Sequence, residues 1–405
     1  MTYEQVCVVG GGPAGMMAGL LLARAGVRVT VVEKHADFLR DFRGDTVHPS
    51  TLRLLDELGL GERFARLPHR KLEQMRMRIA GDTLVVADFR RLPGRHRYIA
   101  MVPQWDFLDL LAEAASAEPT FTLRMATEFT GLRVESGRIT GAHLRNPDGS
   151  TETLDTALVL ACDGRDSAAR AAAGLRQDMF EVPMDVWWLR VPTAADTAGT
   201  AQVFARFDAG RAAVTLDRGD YYQTSYLIPK GSDAKLRARD IRWLRDELAD
   251  LFDWTPEALA AVRSWDDVKL LEVTMGRLPT WHAPGLLCLG DAAHTMSPVG
   301  GVGVNLAIQD AVAAARILAA PLLSGRLTSA DLAKVQRRRH FPTAMTQKSQ
   351  LNEHELLLEP ALDGTLTGAP TPLRIIDRFP VLAGISAYVG GIGLRPERAP
   401  AFARP

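Results

Sequence analysis

The sequence predicts an α/β fold: a unit built on a central parallel sheet, interleaved with a mostly antiparallel β-sheet unit, and a helical C-terminal tail. Three observations predict it. Short runs that are apolar on both faces (Val6–Val9, Val27–Val32, Leu158–Leu160 and Leu286–Leu289) fit strands of a parallel sheet covered by helices. Strand-rich stretches at 72–97 and 178–268 interrupt them. Glycine-centred turns follow three of the four apolar runs.

The elements follow in order. Val6–Val9 is a strand, Gly15 to Ala25 a helix rich in Ala, Leu and Met, Gly26 its stop, and Val27–Val32 the next strand. Ser50 to Gly59 is a helix with Leu at 52, 54, 55 and 58 and a glycine stop. Residues 72–102 alternate as strands, and Trp105 to Ala117 is helical. Phe121 to Leu160 is strand-rich, with turns at 135–138 and 146–149. Residues 180–230 are strand-like and 232–263 helical. Asn305 to Ala319 is a helix, and Leu332 to Glu359 is largely helical with Pro342 as its expected break. The region 364–405 is expected to cap the body, cover a cavity or bind a partner. This order assigns 1–71, 98–177 and 269–345 to the parallel-sheet unit. It assigns 72–97 and 178–268 to the antiparallel unit, and 346–405 to the tail.

Composition narrows the function. The 405 residues suit two or three domains, and the element order makes them two interleaved ones. With 48 basic and 48 acidic residues, the chain lacks the basic surplus of a nucleic-acid binder. Cys7, Cys162 and Cys288 each lie in or at the end of an apolar run, which marks them as small core residues rather than redox or metal groups. The N-terminus has no signal-peptide pattern and no apolar run reaches 18 residues, so a cytoplasmic protein without a membrane span is expected.

Gly10-Gly-Gly12-Pro13-Ala14-Gly15 is a GxGxxG sequence between a strand and a helix. Gly10 permits the tight turn, Gly12 lets a pyrophosphate approach the backbone, and Gly15 lets helix and strand pack closely. The helix N-terminus offers free N–H groups to an anion. Glu33, 18 residues after Gly15, is placed to accept hydrogen bonds from a ribose. A second motif, Asp163-Gly164, runs on to Arg170; alone it reads as an ordinary turn. The third is Gly290-Asp291, with His294, Pro298, Gly300, Gly301, Gly303 and Asn305 following. Asp291 suits a polyol chain. The glycines and Asn305 suit backbone lying against a flat ring, and a helix start there stabilises an anion.

The three motifs, in this order, resemble those of the single-component FAD-dependent aromatic hydroxylases, the para-hydroxybenzoate hydroxylase-like flavoprotein monooxygenases, over roughly residues 4 to 345. The resemblance implies a Rossmann-like FAD-binding domain. It places Gly10, Gly12, Pro13, Ala14 and Gly15 at the FAD pyrophosphate and Glu33, with Lys34 beside it, at the adenosine ribose. Arg43 falls at the pyrophosphate and flavin edge and Gln104 at the ribityl chain or flavin. Asp163, Gly164 and Arg170 belong to a motif serving both FAD and NAD(P)H, and Gly290 and Asp291 face the ribityl or pyrophosphate side. Pro298 lies near flavin and substrate, and Gly301, Gly303, Val304 and Asn305 pass under the ring. The implied reaction uses NADPH or NADH and O2 to hydroxylate an aromatic or polyketide-like molecule through a flavin hydroperoxide. The antiparallel unit would form the substrate lid.

His48 and Arg43 are the catalytic candidates, with Pro298; His48 would deprotonate a phenol. Tyr222 and Gln223 are the substrate-lining candidates. His294, Trp187 and Trp188 read better as structural, and the tryptophan spacing does not fit a halogenase. No metal site is read. A flavin-dependent reductase or dehydrogenase, or a non-catalytic FAD-binding protein, is the alternative function, and a monomer or homodimer the expected assembly.

Overall fold

The computed structural model describes residues 4–39, 46–192, 205–218 and 220–405. Its parallel sheet has the order Leu286–Cys288, Thr151–Ala161, Glu4–Val9, Val29–Val32, Phe121–Arg124, with His282–Ala283 added antiparallel at one edge. The register levels the strand ends. Val9 lies opposite both Ala161 and Val32, and Ala161 lies opposite Cys288. Gly10, Glu33, the Asp163 turn and Gly290 therefore emerge at one edge, the carboxyl end of a parallel sheet where ligands bind.

Helices pack on this sheet, and the antiparallel strands Glu128–Glu135 and Arg138–Arg145 add Phe129, Ile139, Ala142 and Leu144 to the same apolar core, so strands expected to be covered by helices alone are covered by helices and by β structure. Pro13–Arg24 and Gly303–Leu323 pack against each other, and nearly all of the first helix is buried. The stretch Val299–Leu323 is long and apolar enough to cross a membrane, but 72% of its most apolar window is buried inside the protein. It is the core helix of the parallel-sheet unit.

The second unit is a seven-stranded sheet in the order Lys269–Leu271, Met184–Pro192, Tyr221–Pro229, Arg211–Asp217, Ala205–Asp208, Gln74–Ile79, Asp82–Asp88. Only the Ala205–Asp208 and Gln74–Ile79 pairing is parallel. Alternation gives the sheet two faces. Trp187, Leu189, Val191, Tyr222 and Tyr226 pack outward against the helix Ile241–Phe252. Val186, Phe207, Ala212 and Leu227 face inward, with Met75, Met77, Trp188 and Val214 partly accessible beside them.

Pro342 does not break its helix. Ser329–Glu353 is continuous because Val335, Arg339, Pro342 and Thr343 are all buried, and packing overrides the local cost of proline. The irregularity comes later, as a π-turn at His354–Leu358. In the tail, helices Thr371–Arg378 and Pro380–Gly391 cover the edge strand Asp82–Asp88, and the Asp377 carboxylate accepts the Val85 N–H at 2.8 Å.

Trp187 anchors the outer face of the antiparallel sheet. It is fully buried, donates its indole N–H to Asp233 at 2.6 Å and lies 4.9 Å from the Trp265 ring. Trp187→Ala should cost about 3–5 kcal/mol in urea denaturation, through the cavity it leaves.

Candidate active site

The strand Glu4–Val9 ends in a turn that only glycine fits. Gly10 has φ +103°, and a Cβ there would sit 2.5 Å from the Cys162 carbonyl oxygen. A Cβ on Gly15 would collide with the Gly10 carbonyl. Gly12 differs: a Cβ there would meet nothing within 4 Å. Space therefore opens at the start of the Pro13–Arg24 helix, whose first N–H groups no side chain caps. Ala14 is buried behind this opening. Glu33 closes the cradle. Its carboxylate accepts the Gly11 N–H at 2.9 Å and the His35 N–H at 3.1 Å, while Lys34 is exposed.

The second motif supports the first and third. The Asp163 carboxylate accepts the Ser167 hydroxyl at 2.5 Å and the Ala169 N–H at 3.0 Å, so it organises its own turn, with Gly164 at φ +88°. Arg170 donates to the Ala292 carbonyl at 3.2 Å and the Arg165 carbonyl at 2.7 Å. The neighbouring cysteines are inert: burial pushes the Cys162 and Cys288 thiols well above their usual range.

In the third motif Gly290 has φ +58° and packs close to Ala307 and Ala14. Asp291 is half-buried, and Gln177 donates to its carbonyl at 3.3 Å. Buried residues then give way to an accessible backbone strip from Pro298 to Val304, with Gly300 at φ +76° and Gly301 at φ +61°. The strip leads into Gly303–Leu323, whose N-terminus, like that of Pro13–Arg24, carries no side-chain cap. Gln104 is the first residue of the helix Gln104–Ser116 and half-buried.

Asn305 is buried, and its side chain is fully engaged. Its Oδ1 accepts the His48 N–H at 2.9 Å and the Thr51 hydroxyl at 2.8 Å, and its amide donates to the Thr46 carbonyl at 3.1 Å. Thr46 in turn donates its hydroxyl to the Gly301 carbonyl at 2.9 Å. These contacts staple residues 46–51 to the third motif. Thr46 and Thr51 carried no sequence signal, because their partner lies some 250 positions away.

His48 is buried, and its Nδ1 bonds the Gly390 carbonyl at 2.8 Å. Burial pushes its pKa down to about 4, with the Gly390 and Gly301 backbone only partly opposing. The ring is neutral at pH 7 and a weak base. Tyr222 and Gln223 point to opposite faces of the sheet. Tyr222 stacks on Trp254, 5.4 Å between centroids, among the outer helices and away from the third motif. Gln223 faces inward, its Oε1 held by Arg218 at 3.1 and 3.0 Å. Arg43 lies outside the described residues.

A further group surfaces only in three dimensions. Gln350 grips the loop ahead of the strip, donating to the Ser297 and Val299 carbonyls at 2.9 and 2.7 Å, and His354 bonds the Ser297 hydroxyl at 2.9 Å. Glu353 lies between them on the same helical flank. It keeps accessible surface, yet its surroundings push its pKa up to about 7, and Ser349 opposes this weakly. His294 is structural: its Nε2 lies 2.6 Å from the buried Asp310 carboxylate.

An open cradle at Gly12, two helix starts with unclaimed N–H donors and an accepting carboxylate at Glu33 are the groups a dinucleotide requires, so the residues fit FAD. Gly12 has an ordinary φ of −73°. Gly12→Leu should therefore fold normally by circular dichroism while losing bound flavin absorbance. Retention of stoichiometric flavin would refute the assignment of this space to the cofactor.

The profile of the family described as "FAD binding domain" matches residues 3–349. The chain is 32% identical to the 6-methylpretetramide 4-monooxygenase of Streptomyces rimosus over 388 residues, 95% of this chain and 91% of that protein. It is 30% identical to a 12-dehydrotetracycline 5-monooxygenase/anhydrotetracycline 6-monooxygenase of Streptomyces rimosus subsp. rimosus, over 77% of this chain but only 61% of that longer protein. Two solved structures share the fold. The anhydrotetracycline hydroxylase OxyS from Streptomyces rimosus has a TM-score of 0.76 at 23% identity, covering 98% of this chain and 77% of that one. PqsL from Pseudomonas aeruginosa, a probable FAD-dependent monooxygenase, has a TM-score of 0.74 at 24% identity, covering 90% and 98%. Motifs, cradle and relatives agree: the chain belongs to the FAD binding domain family and is an FAD-dependent monooxygenase that draws its electrons from NAD(P)H.

Proposed function

We propose that this monooxygenase hydroxylates an aromatic small molecule of polyketide type. The observation that carries this reading is the long match to a 6-methylpretetramide 4-monooxygenase, over 95% of the chain. The inner sheet face supports it: Met75, Met77, Trp188 and Val214 belong to the same apolar cluster as Val299 of the accessible strip. Such a wall suits a flat apolar ring and excludes water around it.

The residues divide the work. Gly10, Gly12, Pro13, Ala14 and Gly15 would cradle the pyrophosphate, with Gly10 and Pro13 shaping the turn and the uncapped helix start offering its N–H groups, and Glu33 would hold the ribose. Arg43, Gln104, Asp163, Gly164, Gly290 and Asp291 would complete the cofactor shell, with Lys34 at its outer rim. Pro298, Gly301, Gly303, Val304 and the Asn305 backbone would underlie the ring, and the Gly303–Leu323 helix start would favour negative charge on it. When bound, FAD would supply the redox chemistry, passing two electrons from NAD(P)H to O2 so that one oxygen atom goes to the substrate and the other leaves as water. Gln223 would border the substrate space. The units at 1–71, 98–177 and 269–345 bind the cofactor, those at 72–97 and 178–268 cover the substrate, and 346–405 closes the body. The protein works in the cytoplasm as a monomer or homodimer.

His48 acts as a neutral group that orients the 46–51 segment, since its Nδ1–H is committed to Gly390. Its lowered pKa means that the stability it contributes is present above about pH 6.5 and lost as pH falls through about 4. Glu353, exposed on the helical flank that carries Gln350 and His354, has its pKa raised to about 7 and would be the group beside the strip that takes up a proton near neutrality.

Turnover with a panel of polycyclic phenols should consume one O2 and one NAD(P)H per hydroxyl group added. Product formed without O2 uptake would point to the reductase reading. His48→Asn should leave the pH profile of coupled turnover unchanged between pH 6 and 8, whereas Glu353→Gln should remove an inflection near pH 7. Superimposable profiles for Glu353→Gln and the native enzyme would exclude Glu353 from proton transfer.

A further inference from the structure

The tail helix Pro380–Gly391 is packed with its small side inward. Ala383, Ala387 and Gly391 are buried, and the Gly384 and Gly391 positions press against Arg91 and Phe89. Its large apolar residues point the other way: Val381 is 68% exposed, Ile385 54%, Tyr388 43% and Val389 46%. Phe379 at 57% and Ile375 at 46% extend the patch from the preceding helix. The pair is held firmly, by Asp377 on the Val85 N–H and by the Gly390 carbonyl on His48, so the patch is a fixed surface. A contiguous apolar patch of this kind marks an interaction site.

We infer that this face is where two copies of the chain meet as a homodimer. Three features of the patch select a second copy. First, Pro380–Gly391 carries no charged residue, and of the two arginines on Thr371–Arg378 one, Arg374, already faces Asp82 at 3.5 Å, so the patch lacks the run of Lys and Arg that a helix lying on a membrane surface needs along its polar face. An acidic partner would likewise need basic residues there. Second, the stripe is symmetric about Ile385. In an antiparallel two-fold crossing Val381 of one copy meets Val389 of the other, and Ile385 meets itself, as an isologous contact requires. Third, the six side chains offer on the order of 600 Å² per copy, most of the roughly 800 Å² per partner of a stable interface. Arg374, Asp377 and Arg378 sit beside the patch and supply the polar rim.

The test is sedimentation velocity on the FAD-loaded protein at micromolar concentration. The native protein should run as a dimer. Ile385→Lys should raise the dimer dissociation constant by at least about a hundredfold, because it places two lysines against each other on the axis. Val381→Asp is the second variant; both positions are exposed, and melting temperature with flavin content confirms folding. A monomeric native protein, or a dimer that survives both folded variants, overturns the inference. Flotation of monomeric native protein with phosphatidylcholine vesicles overturns it in favour of a membrane surface.

Discussion

A single carboxylate, that of Asp310, fixes the frame on which everything else is hung. It is wholly buried in the middle of the Gly303–Leu323 helix. It accepts the Gly290 N–H at 3.2 Å, bonds His294 at 2.6 Å and pairs with the buried Arg339 at 2.9 Å. Burial alone would push its pKa up, but His294 and Arg339 outweigh burial and hold it lowered and ionised. Arg339 reaches on toward Glu397, which Arg316 and Arg338 also bind, so the network runs from the third motif through two helices into the tail. Removing one member of such a network strands the others in low dielectric, at a cost of about 3–5 kcal/mol. Core packing gives the parallel-sheet unit its bulk, and this network sets the position of the Gly290 turn within it.

The cofactor cradle trades stability for readiness. Two helix N-termini at the site lack side-chain caps, and each missing cap costs about 1 kcal/mol in the absence of a ligand. Capping elsewhere is mixed: Thr328 and Asp331 form a capping box and Asp240 caps Ile241–Phe252, whereas Pro49–Glu57 and Pro380–Gly391 also start without a side-chain cap. A ligand that binds only the folded chain recovers the missing stability by mass action.

Much of this was legible in the sequence because it is local. The glycine motifs, the strands that lead to them and the cysteines within those strands announce themselves by spacing and by runs of apolar residues. The same holds for strand-rich segments that alternate. What was not legible is what depends on partners far along the chain. Asn305 reads as a residue under a flat ring, yet its side chain is consumed by His48, Thr51 and Thr46. His48 reads as a base because histidine titrates near neutrality, but burial beneath the tail helix lowers its pKa and its Nδ1 already bonds the Gly390 carbonyl. Tyr222 and Gln223 are adjacent in sequence, and a strand's alternation sends them to opposite faces, which composition cannot assign. Pro342 signals a break that long-range packing overrules.

The tail also touches the beginning of the chain. Arg24 donates to the Ala403 carbonyl at 2.8 Å, Glu57 accepts the Ala399 N–H at 2.8 Å, and Pro405 rests against Gly59. The strand Leu286–Cys288 meanwhile adds beside Thr151–Ala161 after more than a hundred intervening residues. Folding therefore cannot finish segment by segment as the polypeptide leaves the ribosome. The first β-α-β unit emerges early, but its outer helices gain their last contacts only when residues 399–405 have been made. Pairings of such long sequence separation close slowly. The nascent chain thus spends its synthesis with apolar strand edges uncovered, the kind of intermediate that chaperones shield.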